Sequence, residues 1–197
     1  MIPTRFYAVP LALIGLLSAC GEDPKPRTQA AAAPAPAATA PASPGVAADP
    51  MATRYEATLA EGIDFRKPGY PSFLAEVSGM SEREDWGRWT DGPAAKFRFK
   101  QPLPGKFTLV ISAGTIGSNF GSPIVVRAGK VQKEFTISAA TSATPPGLAT
   151  FTLNFDGTDR PDTIEIIPPK PVRPKDINPK SDDARMLGVA LVALKIQ

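Results

Sequence analysis

Both tryptophans of the chain lie in one segment, Trp86-Gly87-Arg88-Trp89-Thr90-Asp91-Gly92, directly after the charged run Glu82-Arg83-Glu84-Asp85. That mix suits sugar recognition. An aromatic ring stacks on the apolar face of a sugar, while Arg, Asp and Asn bond its hydroxyls in forked pairs. Trp86, Arg88, Trp89 and Asp91, with Tyr70 and Asn119 elsewhere, are therefore the glycan-binding candidates. A structural reading competes with this one. A β-sandwich often buries a Trp in its core, and Arg88 can pair internally with Asp91 or Asp183. In an extended strand Arg88 and Trp89 point to opposite faces, so at most one of them serves a given site. Trp86, beside a flexible glycine and an acidic turn, is the better candidate for exposure.

Other clusters point to less. The chain has no His and one Cys among 197 residues. That excludes a Ser-His-Asp triad, a His-ligated metal and an internal disulfide. Glycan hydrolysis needs two carboxylates about 5–10 Å apart. Glu82, Glu84, Asp85, Asp182 and Asp183 are numerous enough, but adjacent acids are usually a solvated surface, and no catalytic residue is assigned. Asp156-Gly157-Thr158-Asp159-Arg160-Pro161-Asp162 has three carboxylates without EF-hand spacing, and Asp-Gly is an ordinary hairpin turn. Neither a metal nor a cofactor is expected. The glycine-rich stretch Ala113 to Gly121 matches no phosphate loop. Asp183 and Arg185, two apart, point the same way in extended chain, and they read as a structural ion pair at the start of the last strand. The basic residues of the long Pro168–Arg185 connection suit phosphate or carboxylate groups on glycans, or simply a solvated crossover. Net charge is +3 without a basic block, so no nucleic-acid partner is expected.

The elements that must position these residues have period two. Lys96-Phe97-Arg98-Phe99-Lys100 alternates cleanly, as do segments 107–112, 134–137, 151–155 and 163–166. Further strands are expected at Thr58–Phe65, Phe73–Met80 and Ile124–Arg127. Met186–Ile196 is apolar on both faces and reads as central. Turn signals such as Pro104-Gly105 and Asp156-Gly157 separate them. About nine strands without an amphipathic helix predict an all-β, antiparallel two-sheet sandwich. A jelly-roll-like path is favoured over immunoglobulin order, with the first and last strands paired.

The N-terminus carries an address. Arg5 precedes the apolar run Phe6 to Leu17, which is too short to span a bilayer but right for a signal peptide. It ends in Leu17-Ser18-Ala19-Cys20-Gly21, which resembles the lipobox of bacterial lipoproteins. The resemblance implies cleavage before Cys20 and lipid attachment to its sulfur. Residues 1–19 are thus read as a signal peptide and 20–53 as an Ala/Pro-rich tether reaching on the order of 80 Å. Residues 54–197 form the β-sandwich. The expected location is the cell envelope, facing the periplasm and anchored through Cys20. Asp is absent directly after Cys20, which favours the outer membrane over the inner.

The tryptophan segment, taken with the downstream run Ser181-Asp182-Asp183-Ala184-Arg185-Met186-Leu187-Gly188-Val189-Ala190-Leu191, resembles an accessory β-sandwich domain of bacterial envelopes. That domain is appended to some membrane glycosyltransferases and to sulfatase-like phosphoglycerol transferases. Its pattern reads W-G-R-W-S/T-D-G, then D-x-R-x-L-G. The resemblance covers about residues 62–196 and implies a non-catalytic sandwich working near envelope glycans or their glycosyltransferase machinery. The alternative is a structural or protein-interaction module of an envelope assembly.

Overall fold

The computed structural model describes residues 51–157 and 159–197. The signal peptide, Cys20 and nearly all of the tether lie outside the described residues. Three strands of two residues come first: β1 (Arg54–Tyr55), β2 (Ile63–Asp64) and β3 (Tyr70–Pro71). Nine longer ones follow: β4 (Leu74–Ser78), β5 (Arg88–Asp91), β6 (Ala95–Phe99), β7 (Phe107–Thr115), β8 (Pro123–Ala128), β9 (Val131–Thr136), β10 (Ala149–Phe155), β11 (Thr163–Ile167) and β12 (Leu187–Ile196). A single helical turn, α1 (Pro174–Ile177), sits in the long connection before β12.

One sheet runs β10-β7-β12, with β2 and β5 both against the far side of β12. The other runs β4-β6-β11-β8-β9. From β5 onward the chain passes repeatedly from one sheet to the other, the jelly-roll-like path. β12 is central, flanked by β7 on one side and by β5 then β2 on the other. The expected pairing of early and late chain is seen in β2, where Ile63 faces Leu194.

Alternation explains the core. In β6, Ala95, Phe97 and Phe99 are buried while Lys96 and Arg98 are exposed. They meet Leu109 and Ile111 of β7 and Leu191 and Leu194 of β12 in one apolar cluster. Phe107 and Phe155, cross-strand neighbours, stack at 5.0 Å. Burying each such side chain contributes roughly 1.5–3 kcal/mol.

The strand count exceeds the expected nine because β1, β3 and β5 are additional. The expected strand Thr58–Phe65 shortens to Ile63–Asp64, since its first half is a turn. Glu61 Oε2 accepts from the Thr58 amide and hydroxyl at 2.7 and 2.9 Å, and Gly62 N donates to Thr58 O. Gly62 has φ +79°, and a Cβ there would strike the Leu194 carbonyl. No helix among the described residues is long and apolar enough to cross a membrane.

Candidate functional site

The tryptophan segment forms β5 and the loop before it. β5 pairs with the start of β12, setting Arg88 opposite Leu191, Trp89 opposite Ala190 and Asp91 opposite Leu187. The preceding chain returns along the other edge of β5. Ser81 N donates to Trp89 O at 2.8 Å, Trp89 N donates to Ser81 Oγ at 3.0 Å, and Asp91 N donates to Gly79 O. Gly87 makes the close approach possible. At φ +152°, a side chain there would meet the Leu191 carbonyl.

Side chains then lock β5 to β12. Asp91 Oδ1 accepts from Met186 N at 2.8 Å, and Thr90 Oγ1 accepts from Val189 N at 2.9 Å. From β7, the Thr115 hydroxyl donates to Gly188 O at 2.7 Å. These bonds reach across the register shift of β12 between Leu187 and Ala190, where the regular ladder is broken.

The two tryptophans diverge in exposure. Trp89 is 7% exposed and packs with Leu187 and Ala190 in a small second cluster outside the main core. Trp86 is half-buried and sits edge-on to Trp89, with ring centroids 5.3 Å apart. Its Nε1 donates to Glu84 Oε2 at 2.9 Å. Glu84 Oε1 accepts from both terminal nitrogens of Arg185 at 3.2 Å, and Arg185 also forks onto Asp183. The Arg185 guanidinium holds the Asp183 carboxyl below the usual carboxylate range, and the Asp183 bond raises Arg185. Trp86, Glu84, Arg185 and Asp183 thus form one polar corner, linking both halves of the sequence pattern. Glu84 was not among the candidates; its partner Arg185 lies 101 residues away.

The remaining candidates are enclosed. Arg88 is 4% exposed and points to the opposite side from Trp89. Its guanidinium lies 4.9 Å from the Tyr70 ring centroid, and Nη1 reaches only Ser81 O, at 3.5 Å. Neither internal pairing considered for it is made. Asp91 bonds the Met186 amide and Asp183 bonds Arg185, and among the described residues Arg88 has no ion pair. Among the described residues its Nε and the Tyr70 hydroxyl have no hydrogen-bond partner. Tyr70 is fully buried, and that burial pushes its pKa up to about 12. Asn119, also fully buried, donates to Ile116 O and accepts from Lys170 N at 2.9 Å. It fastens the glycine-rich loop to the Pro168–Arg185 connection. As placed, Tyr70, Arg88, Trp89 and Asn119 offer no face to a sugar. Trp86 and Asp91 keep partial exposure. In the acidic turn, Asp156 pairs with Lys106 and Asp159 with Lys130.

Toward the end of β12 its outer side bears a cleft of about 500 Å³, lined among others by Tyr55, Glu61, Asp64, Lys67, Ser112 and Lys195. The Lys67 ammonium lies 4.8 Å from the Tyr55 ring centroid. The Tyr55 hydroxyl accepts from Asp64 N at 3.0 Å, and the Asp64 carboxylate forks onto Arg66. That fork lowers the Asp64 pKa, and burial raises that of Tyr55. None of these residues stood out by sequence motif.

Comparison with known proteins finds relatives among phosphoglycerol transferases. Over 140 residues the chain is 35% identical to phosphoglycerol transferase I of Escherichia coli O139:H28 and, to the same extent, of Shigella boydii serotype 18. The aligned part is 70% of this chain and 17% of each relative, so the chain corresponds to a small part of those enzymes. No solved structure matches. Residues 48–197 match the family described as domain of unknown function DUF7024, and the chain belongs to that family.

Proposed function

We propose that this is a lipid-anchored envelope protein whose non-catalytic β-sandwich associates with envelope glycans. The observation that carries the reading is the match of 70% of this chain to a segment making up 17% of phosphoglycerol transferase I. A β-sandwich segment that is a small part of an envelope transferase is suited to holding a substrate or partner in place. The Trp86 corner supports the reading, with a half-buried indole beside a charged fork. Lipid on Cys20 and the Ala/Pro tether would hold the domain off the membrane, with the outer membrane favoured.

The test is retention of the full chain on immobilised, purified envelope polysaccharide. Retention that weakens on Trp86→Ala supports the reading, and no retention of the wild type sinks it. A second reading is a structural or protein-interaction module. It is favoured by the burial of Tyr70, Arg88, Trp89 and Asn119, which spends most of the pattern on holding the fold. A stoichiometric membrane partner captured by crosslinking, without polysaccharide retention, selects it.

A further inference from the structure

The described surface has several sizeable hollows outside the Trp86 corner, and their chemistry differs. One, of about 360 Å³ on the outer face of the β4-β6-β11 sheet, is lined by charges that satisfy one another. Arg98 pairs with Glu76 at 3.0 Å, and Lys96 and Arg127 both pair with Glu165. A ligand there must break existing bonds. Another, of about 340 Å³ beside Phe73 and Phe99, is mainly apolar, and nothing in the structure shows what would cover it.

The cleft beside β12 is different: its donors and acceptors are held in place yet partly unused. Lys67 is steadied by the Tyr55 ring but forms no ion pair among the described residues. The stem of Lys195 runs over Gly62, whose missing side chain makes the room, and its ammonium likewise has no ion pair there. Glu61 is fixed through Oε2 by the Thr58 turn, and Oε1 accepts no hydrogen bond from the described residues. The bonds from Thr58 keep that carboxyl ionised to lower pH than usual, so it remains an acceptor. Ser112, opposite Ala193 in the ladder, adds from β7 a hydroxyl that already shares a hydrogen bond with the Thr150 hydroxyl at 3.0 Å.

Charged donors and charged acceptors side by side match neighbouring hydroxyls, each of which both gives and takes a hydrogen bond. A simple anion would meet Glu61 and Glu56, and a simple cation would meet Lys67 and Lys195. A neutral polyol meets no like charge. The volume accommodates a pyranose ring with its flanking linkages.

We infer that this cleft binds a polyhydroxylated unit with vicinal hydroxyls, as found in a sugar ring or a glycerol moiety, with Glu61 accepting from and Lys195 donating to adjacent hydroxyls. The inference rests on the glycan reading for the source of that unit. It assigns the hydrogen-bonding to a place distinct from the Trp86 corner.

The experiment is a titration of the isotope-labelled full chain with oligosaccharides released from purified envelope polysaccharide, with glucose and with glycerol, read by NMR. Amide signals of Ile63, Ser112 and Lys195 should shift together with the oligosaccharide. Glu61→Gln and Lys195→Met should each weaken binding about tenfold, the expected size of a lost charged hydrogen bond. Lys195→Met keeps the stem over Gly62, and Lys96→Met on the opposite sheet is the control and should bind normally. If the oligosaccharide binds but shifts signals only elsewhere, with both cleft variants unchanged, the cleft assignment is wrong and the glycan reading stands. If glycerol or glucose shifts the cleft signals while the oligosaccharide binds nowhere, the polyol site stands and the glycan reading falls. If no compound shifts the cleft signals and the polysaccharide column retains nothing, both are overturned.

Discussion

Replacing Arg88 by Met should make the domain more stable. Arg88 is a cation that is 4% exposed, without a carboxylate partner among the described residues and with Nε unbonded. Taking such a charge out of water costs several kcal/mol even after the protein relaxes. Two contacts offset this. The Tyr70 ring at 4.9 Å contributes about 2 kcal/mol as a desolvated cation–π contact. The bond to Ser81 O, at 3.5 Å, is at the outer limit of hydrogen-bond length and adds little. Methionine fills much of the same volume with a flexible apolar chain. The expected gain is about 1–3 kcal/mol, each kcal/mol raising Tm by about 2–4 °C for a domain of this size. Urea unfolding of the full chain at neutral pH, with an unchanged m-value, is the assay. Arg88→Ala, which also leaves a cavity, should be less stable than Arg88→Met by about 2 kcal/mol or more. Tyr70→Phe, which removes an unpaired buried hydroxyl, should be neutral or mildly stabilising, and it should couple non-additively to Arg88→Met because the two side chains touch. A loss of more than about 1 kcal/mol in Arg88→Met would refute this reasoning, because the guanidinium would then be making net favourable bonds that outweigh its desolvation.

Three further outcomes are expected. The carboxyls of Asp183 and Asp64 are held low by Arg185 and Arg66, so their pairs stabilise the fold fully above the ordinary carboxylate range and are lost as pH falls through the lowered values. Unfolding midpoints should therefore hold steady down to about pH 5 and then drop, and less steeply in Asp183→Asn; parallel curves would show that the corner contributes nothing, as solvent screening of these part-exposed groups allows. Gly188→Ala puts a methyl into the Pro168 ring and should cost about 1–3 kcal/mol by urea unfolding, with an unchanged midpoint counting against the packing described. Cys20→Ala should move the protein from the membrane fraction to the soluble periplasm, and a variant still membrane-bound in high salt would exclude lipid on Cys20 as the anchor.

The parts of the fold that local pattern reveals are those with one covered face. β6 and β11 alternate buried and less buried residues because one side meets the core and the other meets solvent. β5 escapes that logic. Arg88, Trp89 and Thr90 are consecutive and all buried, since the strand is covered on both sides, by the main core and by the small cluster around Leu187 and Ala190. β1 and β3 are bridges of two residues whose pairing depends on how distant chain is placed, so no run of residues announces them. The same limit applies to the candidate residues. Asn119 looks like a turn residue or a ligand group until Lys170 is brought against it, and Glu84 looks like one acid among several until Arg185 arrives from 101 residues away.

This bears on what the shared pattern means. In W-G-R-W-T-D-G, the glycine permits contact with β12, the threonine and aspartate side chains take amides of the later run, and the second tryptophan seals the small cluster. In the later run, Asp183 and Arg185 close the corner through Glu84. The two runs are the two sides of one joint, at the place where β12 loses regular register. A polar atom already bonded within such a joint is poorly placed to bond a ligand, because exchanging one hydrogen bond for another gains little. Recognition then falls to groups the joint leaves unsatisfied. On the proposed reading, the cleft groups Glu61, Lys67 and Lys195 are of that kind. The two runs are therefore better evidence for how the sheet edge is closed than for what the surface binds.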